Sequence, residues 1–127
     1  MMNNLIKPTD SELEILNILW EKGHATVKEV NEEINKTKES GYTTTLKLLQ
    51  IMHEKGLVSR YPTGKQHVYQ AKIEEEKAQK DILNGFMHNL YRGNAMKMVM
   101  QILGNHNTTK DELEQLRQVI NSLEQKS

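Results

Sequence analysis

The stretch GYTTTLKLLQIMHEKGLVSRYPTGKQHVYQA, residues 41–71, changes period along its length, and that change decides the fold. Residues 42–55 read as a helix, with a core face through Thr45, Leu48, Leu49 and Met52 at the three- and four-residue spacing of an amphipathic helix. Residues 57–61 and 67–70 alternate as short strands do, and Pro62-Thr63-Gly64-Lys65 reads as the turn between them. Gly56 stands where a left-handed cap ends a helix, and Lys55 suits its negative end. A helix followed at once by a hairpin is the reading half of a winged helix-turn-helix.

Working outward, charge singles out the same stretch. The 127-residue chain has 17 basic and 17 acidic side chains, so its net charge gives no argument for nucleic acid. Between Gly41 and Lys72, however, the bases are Lys47, Lys55, Arg60, Lys65 and Lys72, and Glu54 is the sole acid. Residues 1–40 are acidic on balance. Positive potential is thus concentrated on one unit, and phosphate neutralisation needs only a local basic face. The core register turns Thr43, Thr44, Leu46, Lys47 and Gln50 outward. Leu46 stays open between two positions, in contact with a thymine methyl or rolled into the core.

Upstream, residues 1–8 read as an arm. Thr9 with Glu12, or Ser11 with Glu14, offers a capping box for a helix to about Lys22 with Leu13, Leu16, Leu19 and Trp20 on one face. Trp20, the only tryptophan, reads as a core anchor. His24-Ala25 is a candidate one-step strand pairing with the wing. Thr26 and Glu29 form a second capping box, for a helix over 27–36 that buries Val27, Val30 and Ile34. Residues 37–41 are the turn.

Downstream of Lys72 the composition shifts. Residues 74–90 read as a helix with Leu83, Phe86 and Leu90 among its apolar positions, residues 94–103 as a shorter helix, and 104–107 as a break. Thr109 and Glu112 cap a last helix in which Leu113, Leu116, Ile120 and Leu123 repeat at three and four. That seam is too short for a free-standing coiled coil, so a homodimer through these helices is expected. The fold class is mainly α with a small β-wing: a winged helix-turn-helix domain over 1–72 and a three-helix dimerisation domain over 73–127.

Several chemistries are excluded or disfavoured. Without cysteine there are no disulfides, thiolate metal sites or Cys nucleophiles. His24, His53, His67, His88 and His106 lack the spacing of a zinc site, and no nucleophile elbow or phosphate-binding glycine loop is present. Met87, Met96, Met98 and Met100 read as plastic interface residues rather than copper ligands. No metal, no cofactor and no enzymatic activity are expected. No apolar run approaches the ~20 residues of a membrane span, and no signal peptide is evident, so a cytoplasmic location is expected.

Three segments in fixed order, TDSELEILNILWEKGHATVKEV (9–30), GYTTTLKLLQIMHEKGLVSRY (41–61) and GKQHVYQA (64–71), resemble the penicillinase-repressor family of bacterial transcription factors, the BlaI/MecI/CopY group. The resemblance covers nearly all of the chain. It implies a homodimer on an inverted-repeat operator of double-stranded DNA, often with TACA and TGTA half-sites, repressing antibiotic-resistance or copper-handling genes. Carried over, the family's base-reading stretch falls on Thr43, Thr44, Leu46 and Lys47, and its wing tip on Gly64 and Lys65. The resistance branch is released when a membrane metalloprotease sensor cuts an Asn-Phe bond after a β-lactam signal. The corresponding position here, Gln101-Ile102, departs from that pair. The copper branch uses a C-terminal cysteine cluster that this chain lacks. The competing expectations are a winged-helix protein-interaction module that reads no DNA, and a metal-responsive repressor.

Overall fold

Helix α1 (Asp10–Lys22) begins at Thr9 through the first of the two candidate capping boxes: the Glu12 amide donates to the Thr9 hydroxyl at 3.2 Å and the Thr9 amide to the Glu12 carboxylate at 2.9 Å. It ends at Gly23, whose positive φ of 85° few other residues tolerate. The computed structural model describes residues 7–126, so the arm expected at 1–8 lies almost wholly outside the described residues. Strand β1 (Ala25–Thr26) follows, one position later than His24-Ala25, and then α2 (Val27–Ile34), capped by Thr26 and Glu29. After the turn come α3 (Tyr42–Glu54), β2 (Val58–Thr63) and β3 (Gln66–Ala71). The remaining elements are α4 (Glu75–Tyr91), α5 (Ala95–Asn105) and α6 (Lys110–Lys126).

The sheet has the order β1-β3-β2 and is antiparallel throughout. Thr63 pairs with Gln66, so the hairpin turn is the two residues Gly64-Lys65 rather than the four expected. Pro62 sits inside β2, opposite His67. β2 is an edge strand, and an edge tolerates a residue that has no amide to donate. Gly64 (φ 65°) supplies the positive φ that a two-residue hairpin needs at its first position.

The chain divides into two compact units, Met1–Asn84 and Gly85–Ser127. The first extends beyond the 72/73 boundary expected from composition, because the start of α4 is built into it: Ala78 is fully buried and Asp81 nearly so. The core of this unit joins Ile15, Leu16 and Leu19 of α1, Val30 and Ile34 of α2, and Leu49 and Met52 of α3 to Leu57, Val58 and Tyr69 of the wing. Each fully buried aliphatic side chain contributes roughly 1.5–3 kcal/mol. Leu13, expected on the core face, is only half-buried, and Ile15 takes its place. Trp20 packs at the edge and donates its indole N–H to the Ile73 carbonyl at 2.9 Å, holding the exit of the wing against α1.

In the second unit, α5 is capped by Asn94, which accepts from the Lys97 amide, and α6 by Thr109 and Glu112. Gly104, expected in a break, lies within α5. Among the described residues of this unit only Met98 is buried, and no residue of α6 is.

Candidate nucleic-acid interface

Helix α3 is positioned by the side it buries. Thr45, Leu49 and Met52 are fully buried and Leu48 partly so, which turns Thr43, Thr44, Lys47 and Gln50 to the exposed side, as the periodicity predicts. Tyr42 precedes them, 52% exposed. Leu46 occupies neither of the two extremes open in the sequence. It is half-buried, packed on the rim of the core, and lines a cleft of about 160 Å³ with Val27, Tyr42, Lys65, Gln66, His67 and Tyr69. That cleft brings the helix and the wing together: Lys65 at the tip and Leu46 on the helix share its wall.

The hairpin is anchored from below. Tyr69 is 1% exposed, its hydroxyl accepts a 3.4 Å hydrogen bond from Arg60, and its ring meets His67 edge-on at 6.4 Å. Pairing of β1 with β3 through Ala25 and Tyr69 ties the wing to the start of α2. Gly64 and Lys65 therefore project from a supported ribbon.

The basic side chains divide by use. Lys55 is committed to structure: its ammonium lies 3.0 and 2.8 Å from the two oxygens of the buried Glu12 carboxylate. Burial pushes the Glu12 carboxyl up, but the hydrogen bonds from Lys55 and the Thr9 amide outweigh it and hold the group below the usual carboxylate range. Lys47 and Lys65 are exposed and, among the described residues, engaged in no ion pair. Hydroxyls and an ammonium on the exposed side of a helix, beside a basic hairpin tip, suit a polyanion with hydrogen-bonding groups in a groove.

Sequence reading passes over Asn31 and Asn35. Both face the turn before α3 and hydrogen-bond into it. Their signal is a pair of asparagines at i, i+4, the first in α2 and the second at its C-cap, just before a turn. The remaining expected positions lie in or near the second unit. Leu83, Phe86, Leu90, Leu113, Ile120 and Leu123 are 41–60% exposed and Leu116 is half-buried. Gln101 and Ile102 are exposed on α5, and Gln101 accepts a 2.6 Å hydrogen bond from Tyr91. No cluster of three or more His, Asp or Glu is placed to hold a metal among the described residues. No helix among them is long and apolar enough to cross a membrane.

Three helices, a three-stranded sheet ending in a basic wing, and an exposed third helix define a winged helix-turn-helix protein. The chain belongs to the penicillinase repressor family, whose model matches residues 8–122. It is 26% identical to a penicillinase repressor of Staphylococcus aureus over 126 residues, 99% of this chain and 100% of that one. It is 26% identical to the methicillin resistance regulatory protein MecI of Staphylococcus aureus strain N315, over 95% of this chain and 98% of that one. Among solved structures, the monomeric form of Bacillus licheniformis BlaI in complex with the blaP half-operator matches at a TM-score of 0.50 and 26% identity, covering 60% of this chain and 93% of that one.

Proposed function

We propose that the protein is a transcriptional repressor that binds an inverted-repeat operator in double-stranded DNA as a homodimer and has no enzymatic activity of its own. The observation that carries this reading is the shared placement of Thr43, Thr44 and Lys47 on the exposed side of α3, with Lys65 on the wing beside them. The α3 side chains reach base edges and phosphates in the major groove, Leu46 touches a thymine methyl from the rim of the cleft, and Gly64-Lys65 track the adjacent backbone. BlaI, with its half-operator, is the relative that supports the DNA partner.

The apolar positions of α4 and α6, the exposed Leu83, Phe86, Leu90, Leu113, Ile120 and Leu123 with the half-buried Leu116, supply the dimer seam. Two reading helices about 34 Å apart then match the half-sites of an inverted repeat. Release proceeds through proteolysis in the second unit at Gln101-Ile102, by a membrane metalloprotease sensor answering a β-lactam-type or other envelope signal. Both residues lie inside α5, so the helix opens locally before a protease strand-binding cleft accepts them.

Fluorescence anisotropy with duplexes carrying TACA and TGTA inverted half-sites, against a scrambled duplex and across a salt titration, tests the reading. Two protomers per duplex with a clear preference over the scramble are expected, and Lys47→Ala weakens binding and lowers the salt slope by roughly two, one phosphate contact per protomer. Equal weak binding to both duplexes, and no sequence enriched from random DNA, would overturn it in favour of a protein-interaction module.

A further inference from the structure

Helix α3 has no capping side chain: Gly41 stands at its N-cap and offers none. Its start is held instead by a polar ring that reaches across from α2. The Asn31 side-chain amide donates to the Ser40 carbonyl at 3.1 Å and to the Thr45 hydroxyl at 2.8 Å. Asn35 donates to the Asn31 and Ser40 carbonyls at 2.7 and 2.9 Å and accepts from the Ser40 amide at 3.1 Å. The Thr45 hydroxyl in turn donates to the Gly41 carbonyl at 3.5 Å. Thr45 is fully buried, and a buried hydroxyl costs free energy unless it is paired. Only one roll of α3 about its axis points that hydroxyl at Asn31.

We infer that Asn31 is a positioning residue for sequence reading: through Thr45 it fixes the roll of α3, and so decides which atoms of Thr43, Thr44 and Lys47 face base edges. This rests on the DNA-binding reading above. A helix with its side chains has a radius of about 5–6 Å, so a roll of about 20° carries a side-chain tip about 2 Å. Hydrogen bonds to a base edge weaken steeply over such a shift, whereas long lysines still reach phosphates. Loss of Asn31 therefore lowers discrimination between sequences and spares non-specific binding.

The test uses the full chain and a duplex enriched from random DNA by the unaltered protein, with a scrambled duplex as reference. Asn31→Ala and Thr45→Val should each lower the preference for the enriched duplex at least about tenfold. Affinity for the scramble and the salt slope should stay within about twofold. The double variant should do no worse than the worse single one, because the two side chains act through one bond. Thr45→Ser, which keeps the hydroxyl, should retain the preference.

Unaltered discrimination by Asn31→Ala overturns the proposal and leaves the DNA-binding reading standing. An equal loss on both duplexes, in step with a fall in Tm, shows a structural role only and also overturns it. Should Asn31→Ala not fold, Thr45→Val, which keeps the shape of the residue, decides by the same measurements. If the unaltered protein enriches no sequence, the DNA-binding reading and this proposal fall together.

Discussion

The two units bury their apolar side chains to opposite extents. In the first, Ile15, Leu16, Leu49 and Met52 are at 0% exposure, and the polar groups within the core are answered in place. In the second, Leu90, Met96, Met100, Ile120 and Leu123 are 54–66% exposed, although α5 and α6, which carry the last four, are well capped. Caps and periodicity are enough to form a helix; a core requires a second surface. The first unit contains both surfaces, and the second contains one. Apolar area left open on this scale is what the proposed dimer seam would cover.

The largest expected effect breaks that contrast where it is sharpest. Ile120→Asp places a charge in the expected seam of α6. Sedimentation at about 10 μM should show a shift from dimer to monomer. Operator affinity should fall by roughly two orders of magnitude, the loss expected when two linked binding events become separate ones. Chemical-shift dispersion from residues 10–71 should be retained. A variant that stays dimeric would mean that the exposed face of α6 is covered by something other than a second copy.

A smaller effect tests how self-sufficient the first unit is. Glu12→Gln keeps the capping box with Thr9 and removes the charge that Lys55 pairs with. The cost at pH 7 should be about 1–2 kcal/mol by urea denaturation, the scale of a hydrogen bond to a charged group discounted for the partly exposed lysine. The folded-state pKa of Glu12 lies below its reference value of 4.5. Its contribution is therefore fully present above about pH 4.5 and lost as pH falls through the lower folded value. The difference between variant and parent should close in that acid window. A gap that persists at acid pH would assign the loss to packing of the amide and not to the ion pair.

These contrasts also mark what the sequence makes legible. Caps at Thr9, Thr26 and Thr109 are local, and so they can be read from residues three apart. The winged architecture is legible for the same reason, since the change from helical to alternating period falls within 31 residues. Where Pro62 sits is not local: it depends on β2 being an edge, which only the sheet order determines. Leu46 is ambiguous by periodicity because both faces of α3 carry leucine, and its position on the rim is set by the wing folding over against it. The Asn31 ring is hidden for a related reason. Asparagine before a turn reads as solvated until the buried Thr45 is placed opposite it, 14 residues later. Likewise Gly104, a break by composition, continues α5 because its neighbours on both sides are helical.

The smallest expected effect sharpens the division of labour between the units. Lys65 at the wing tip and Lys110 in the first turn of α6 are both exposed lysines. If the first unit reads DNA and the second assembles the dimer, only one of them neutralises phosphate. Each phosphate contact contributes about 0.9 to the slope of log affinity against log salt. In a dimer Lys65→Ala removes two such contacts, so the slope should fall by roughly two, with affinity for operator and scrambled duplexes reduced alike because a phosphate carries no sequence. Lys110→Ala should leave the slope unchanged. Equal changes from both lysines would mean that DNA runs across the second unit as well, and the contrast between a reading half and an assembling half would not hold.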